Sequence, residues 1–107
     1  MIRRALIRKP SIARVIIAKR LGASIVRSKY SENVYLIGSA AVRRATPQSD
    51  LDIIVENCRS PAARSKIWGL VVEYQARFGL QIDVAFVGNI QEWLGGKAVL
   101  IAGGSAK

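Results

Sequence analysis

Three carboxylates and one Gly-Ser pair are the residues of this chain whose types and spacing could do chemistry: Asp50, Asp52, Asp83, Gly38 and Ser39. Asp50 and Asp52 flank Leu51 at the head of an apolar run that continues to Val55. On a strand, alternation puts both acids on one face with Leu51 and Ile53 on the other, their Cα atoms roughly 6.5–7 Å apart. Two like charges that close, at the end of an apolar strand, are unfavourable unless a positive charge sits between them. A hard cation held by oxygen, magnesium or manganese, would relieve the repulsion. Asp83 lies inside QIDVAFV, between Ile82 and Val84. An acid in an apolar strand is expected to be buried and to have a partner or a role. If its strand lies beside that of Asp50 and Asp52, at about 4.8 Å, the three carboxylates can converge. Such a set can hold two metal ions about 3.5–4 Å apart, a geometry suited to in-line phosphoryl or nucleotidyl transfer.

Gly38-Ser39 follows an apolar run and opens a short helical stretch. Glycine lets backbone approach a phosphate closely, a helix N-terminus offers free N–H groups, and the serine hydroxyl adds a donor. Each feature alone has a structural explanation. Asp50 could cap an element, Asp52 could pair with one of the many arginines, and Asp83 could sit in a buried ion pair. Ion pairing does not demand this ordered set, in which the Asp-x-Asp strand follows Gly-Ser after a ten-residue gap and a third acid stands on the next strand.

The elements that must position these residues are legible in outline. The N-terminal part reads as a helix, with Ser11 as cap after Pro10 and Ile12, Val15 and Ile16 on one face. Gly22 ends it, or it runs on through Ile25 and Val26 toward Lys29; both readings stand. Ser31 to Asn33 reads as a turn and Val34–Ile37 as a strand. A short helix is expected over Ser39–Arg44, a loop over Thr46–Ser49, and a central strand over Leu51–Val55. Ser60-Pro61 opens a helix carrying Ala63, Ile67, Leu70, Val71, Tyr74 and Phe78, which Gly79 stops. Leu80–Val87 reads as a third strand, Ile90–Leu94 as a helical turn and Ala98–Ala102 as a short last strand, with a frayed GGSAK tail. Trp68, Trp93, Tyr30 and Tyr35 read as packing aromatics. The sum is a small α/β (α+β) sheet with helices packed on it.

Composition narrows the chemistry further. With 107 residues, half of them apolar, the chain fits one domain, 1–107. There is no histidine, which removes histidine acid–base chemistry and most zinc sites. The single cysteine, Cys58, rules out an intramolecular disulfide, and a reducing, cytoplasmic setting is the expectation. No run is long and apolar enough to span a membrane. The net charge is +10, and residues 1–29 hold nine of the seventeen cations and none of the seven acids. This basic segment is either a solvated helix face or a docking surface for an acidic partner such as nucleic acid. Its first 24 residues also resemble an arginine-rich transit peptide.

VYLIGSAAVRRATPQSDLDIIVE resembles the signature of the DNA polymerase beta-like nucleotidyltransferase superfamily, and QIDVAFV looks like its third-carboxylate strand. The short chain points to the minimal nucleotidyltransferase branch. The resemblance is specific over Tyr35–Glu56 and Ile82–Val87, and the order of elements agrees over residues 33–102. It implies a small mixed sheet of three or four strands flanked by helices. Gly38 and Ser39 would contact the triphosphate of ATP or another NTP, and Asp50, Asp52 and Asp83 would bind two Mg2+ ions, with Asp83 helping to activate an acceptor hydroxyl. The resemblance also implies an antitoxin role, in which AMP is transferred to a tyrosine of a HEPN-type toxin. The family pattern Gly-Ser-x-Ala-Arg-Gly departs here: its arginine falls on Val42 and its glycine on Arg43. Arg43 or Arg44 would then supply the nucleotide-binding charge. The rival readings are a non-catalytic module that neutralises its partner by occlusion, and a nucleic-acid-binding protein using residues 1–29. The oligomeric state, homo-oligomers included, is left open.

Overall fold

The computed structural model describes the backbone of residues 2–104 and the side chains of residues 10–104. The side chains of Arg3, Arg4, Arg8 and Lys9, and the end of the tail expected to fray, lie outside the described residues. The elements are α1 (Ile2–Arg27), β1 (Asn33–Ile37), α2 (Gly38–Ala41), β2 (Leu51–Glu56), α3 (Pro61–Phe78), β3 (Ile82–Val87), a 3-10 turn (Ile90–Glu92) and β4 (Val99–Ala102). They build one mixed sheet in the order β3-β2-β1-β4. β1 is antiparallel to β2 and to β4, while β2 and β3 are parallel. The parallel pair follows from its connection, since a helical crossover such as α3 returns the chain in the same direction.

Strand alternation sorts the sheet into two faces. Val34, Leu36, Leu51, Ile53, Val55 and Ile82 form a buried core with Leu21 and Ile25 of α1 and Ile67 and Val71 of α3. The other face carries Tyr35, Ile37, Asp52, Ile54, Glu56 and Asp83. Because β3 and β4 are opposite edges, residues 88–98 must cross the sheet, and Glu56 holds this crossing to the second face by accepting from Ile90 N at 2.6 Å.

α3 begins and ends as its sequence predicts. Ser60 Oγ accepts from Ala63 N at 3.0 Å, Pro61 is the first helical residue, and Gly79 closes the helix in the left-handed conformation. α1 differs from expectation in two ways, its start and its inward face, and at Gly22 it follows the second of the two readings, running on to Arg27. It starts upstream of Pro10, so Ser11 is no cap; its buried Oγ instead accepts from Ala45 N at 2.9 Å. It passes through Gly22, where a Cβ would stand 3.1 Å from Ala102 Cβ and 3.3 Å from Val34 Cβ. That glycine serves close helix–sheet packing and not termination. The helix ends in a Schellman turn, with Tyr30 N donating to Ile25 O, Lys29 N to Val26 O, and Lys29 itself left-handed at φ 63°. Of the inward face expected at Ile12, Val15 and Ile16, only Val15 packs against the core. Ser11, Arg14, Ala18, Leu21 and Ile25 are buried at spacings of three and four, while Ile12 and Ile16 are about half exposed. The buried face includes two polar residues because both bond the connection between α2 and β2.

Candidate active site

Two of the three carboxylates, Asp52 and Asp83, stand side by side at the head of the parallel pair. Leu51 N donates to Gln81 O at 2.9 Å, which fixes the start of β2 against β3. This register sets Asp52 directly beside Asp83. Asp50 precedes the first strand residue, is exposed, and is near enough for its charge to act on Asp52. The Asp52 carboxyl is held above its ordinary pKa, first by burial, then by the charge and hydrogen bonding of Asp83, and last by Asp50. Burial and two neighbouring acids thus all disfavour the charged form of Asp52.

Asp83 itself is exposed, against the expectation of a buried acid. β3 is an edge strand, and its Asp83 side chain points to the face away from the helices, where solvent reaches it. Gln81 Nε2 donates to it at 3.4 Å. Among the described residues, no three acids or other common ligand side chains stand close enough to form a ready-made metal cage. The donor set fits a hard cation by its chemistry, all carboxylate oxygen with no histidine or cysteine among the three residues.

The Gly-Ser pair meets this cluster. Gly38 has φ 76°, and a Cβ there would run into the Asp52 carboxylate. Ile37, one residue before it, is the antiparallel partner of Asp52. So β1 delivers the Gly38 turn onto Asp52, and only glycine satisfies both the positive φ and the contact. Ser39 is half-buried, and its carbonyl accepts from Arg44 N at 2.8 Å. α2 covers four residues, shorter than the Ser39–Arg44 helix expected, because Arg43 turns left-handed at φ 62° and breaks it. Arg43 and Arg44 are both exposed. Arg43 lines a cavity of about 320 Å³ with Lys19 and Lys97, whereas Gly38, Ser39 and the three acids do not line it.

One residue that sequence reading passed over positions the site. Arg14, 7% exposed, donates from Nε and NH2 to Ser49 O at 3.0 and 2.7 Å, from NH2 to Pro47 O at 3.2 Å and from NH1 to Pro10 O at 3.2 Å. It thereby clamps the irregular loop immediately before Asp50. The available signal was a lone arginine at helical spacing among apolar residues, which basic surroundings concealed. A second such residue is Glu56, 9% exposed, whose Oε1 accepts from Asn33 Nδ2 at 2.7 Å and Tyr35 Oη at 3.3 Å. Burial pushes the Glu56 pKa up, but the hydrogen bonds from Asn33, Ile90 N and Tyr35 outweigh it and hold the carboxyl below its ordinary value. The Tyr35 phenol is raised in turn by burial and by Glu56. The aromatics keep the packing roles read for them: Trp68 lies 6.0 Å from the Phe86 ring, and the Trp93 ring lies against Gly95.

No helix among the described residues is long and apolar enough to cross a membrane. No protein-family model matches the chain, and no curated protein matches it. A solved structure does: "a putative nucleotidyltransferase from Sulfolobus solfataricus", 20% identical, matches over 86% of this chain and 82% of that one with a TM-score of 0.53. The four-stranded mixed sheet and its helices therefore share the α+β fold of that nucleotidyltransferase-like protein.

Proposed function

We propose that the chain is a Mg2+-dependent nucleotidyltransferase of the minimal branch, which transfers AMP from ATP to a hydroxyl on a macromolecule. The observation that carries this reading is the seating of Gly38 against Asp52, with Asp83 in register beside it. A turn able to admit phosphate and a set of mutually repelling acids occupy one place. Asp50, Asp52 and Asp83 would hold the metal, which when bound supplies positive charge against the phosphates and the leaving pyrophosphate. Gly38 and Ser39 leave room for the triphosphate, and Arg43 or Arg44 adds charge in place of the arginine absent at position 42. The acceptor oxygen forms its bond to the α-phosphorus as the bond to the bridging oxygen breaks and pyrophosphate departs. Asp83, exposed at the sheet edge, is open to an incoming macromolecular hydroxyl and takes its proton. A tyrosine of a HEPN-type partner is the acceptor class we favour, which would make the chain the antitoxin of a toxin–antitoxin pair.

The test is calorimetric titration of ATP with and without magnesium, on the wild type and on Asp50→Asn/Asp52→Asn. Magnesium-dependent binding that the double variant loses supports the transferase. Absence of binding in both proteins overturns it.

Two observations favour a second reading. The acids form no ready-made cage among the described residues, and position 42 presents a half-exposed valine. A module that only occludes its partner would keep its neutralising effect in Asp50→Asn/Asp52→Asn; a transferase would lose it.

A further inference from the structure

The cavity bounded by α1, the exit of α2 and the start of β4 is lined by apolar residues and three cations. Its volume is about 320 Å³, at the lower end of small-molecule sites. Leu36, Val99 and Ile101 contribute to an apolar floor, and Lys19, Arg43 and Lys97 are the charged residues of its lining. Each cation comes from a different element: Lys19 from α1, Arg43 from the residues after α2, and Lys97 from the crossing that leads into β4. Among the described residues, none of the seven acids lines it.

The backbone supplies an independent observation. Arg43 lies at φ 62°, in the left-handed region where a side chain costs roughly 1–2 kcal/mol and glycine costs nothing comparable. Its N–H donates to Ala40 O at 3.2 Å, so the turn itself needs no arginine. A charged residue kept in a conformation that favours glycine, at a cavity it lines together with two lysines, is strain of the kind that accompanies a binding role.

We propose that Lys19, Arg43 and Lys97 form a binding pocket for a phosphate-bearing ligand. Guanidinium and ammonium groups suit phosphate by charge and by their multiple donors, and the apolar floor accommodates a body attached to it. The pocket shares Arg43 with the transferase reading but none of Gly38, Ser39, Asp50, Asp52 and Asp83, so it needs no metal. The phosphate has two sources in principle, the tail of a nucleotide or a free polyphosphate chain.

The experiment is titration of the full chain with inorganic tripolyphosphate in EDTA, followed by calorimetry and by thermal midpoint, with ATP in a parallel arm. Saturable metal-free binding is expected, weakened about tenfold or more in Lys19→Gln/Lys97→Gln. Arg43→Gly should weaken binding and raise the ligand-free midpoint by a few degrees, because it relieves backbone strain at the left-handed position. Asp50→Asn/Asp52→Asn should bind tripolyphosphate no more weakly than the wild type, which separates this pocket from the proposed metal site. ATP binding more tightly than tripolyphosphate assigns the nucleotide as source; the reverse assigns free polyphosphate. Binding that is absent, or that all three cation substitutions leave unchanged, overturns the proposal, the latter because it would place the anion elsewhere on a basic surface.

Discussion

Gly38 and Asp52 constrain each other at the scale of single residues. A Cβ at position 38 meets the Asp52 carboxylate, and φ is 76°. Gly38→Ala should cost about 1–3 kcal/mol in urea unfolding and abolish magnesium-dependent ATP binding. Normal stability with normal binding would show that the turn has slack. Asp52 gives a prediction of opposite sign. Its carboxyl titrates above the ordinary value of 3.8. The folded state therefore keeps a proton that the unfolded state has lost, and metal-free stability falls as pH rises from that ordinary value through the folded one. Asp52→Asn should remove this falling limb. At pH 7 without metal it should stabilise the fold by roughly 0.2–1 kcal/mol, the range for relief of a like-charge cross-strand pair. Urea midpoints across pH 3–7 measure it, and a destabilised Asp52→Asn would contradict the repulsion.

At the scale of elements, α1 is a clamp as much as a basic surface. Ser11 bonds Ala45 N and Arg14 bonds the carbonyls of Pro47 and Ser49, so two adjacent turns of one helix fix both ends of the loop between Gly-Ser and Asp-x-Asp. Arg14→Met preserves bulk but removes the donors to part-buried carbonyl oxygens, at a cost of about 1–2 kcal/mol. Amide hydrogen exchange should quicken over residues 44–51 more than within α3. Uniform acceleration would mean that Arg14 supports the whole fold and not this connection. The same burial takes Arg14 out of any charged docking face; Lys19, Arg20, Arg27 and Lys29 are exposed on this segment.

At the scale of the whole molecule, Glu56 joins parts that are distant in sequence. Its carboxylate accepts from Asn33 and Tyr35 of β1 and from Ile90 of the crossing, and so ties the sheet to the chain segment over its second face. Its folded pKa lies below the ordinary 4.5. The stability it contributes is thus present above that ordinary value and lost as pH falls through the folded one. Glu56→Gln should cost about 1–3 kcal/mol at neutral pH, because an amide cannot accept at both ends. It should also flatten the acid limb of the stability curve, as read by urea unfolding between pH 2.5 and 6. An unchanged acid limb would assign acid lability to other carboxyls.

The order of elements, the α3 caps and the Asp-x-Asp placement at the head of β2 were legible in the sequence. Local signals specify them: apolar runs bounded by turn residues, Ser-Pro before a helical period, Gly after it, and acids at a strand's period of two. Those signals act within a few residues, where sequence distance and spatial distance coincide. What only the tertiary structure decided depends on partners far along the chain. Pro10 reads locally as a helix boundary and Gly22 leaves the helix end open, yet α1 continues through both, and Gly22 is there for the approach of Val34 and Ala102. Arg14 reads as one more surface cation until Pro47 and Ser49 surround it. Asp83 reads as buried because its neighbours are apolar, but an edge strand leaves its outward face open to solvent. Alternation determines which side of a strand a residue takes; only the packing of the other elements determines whether that side is covered.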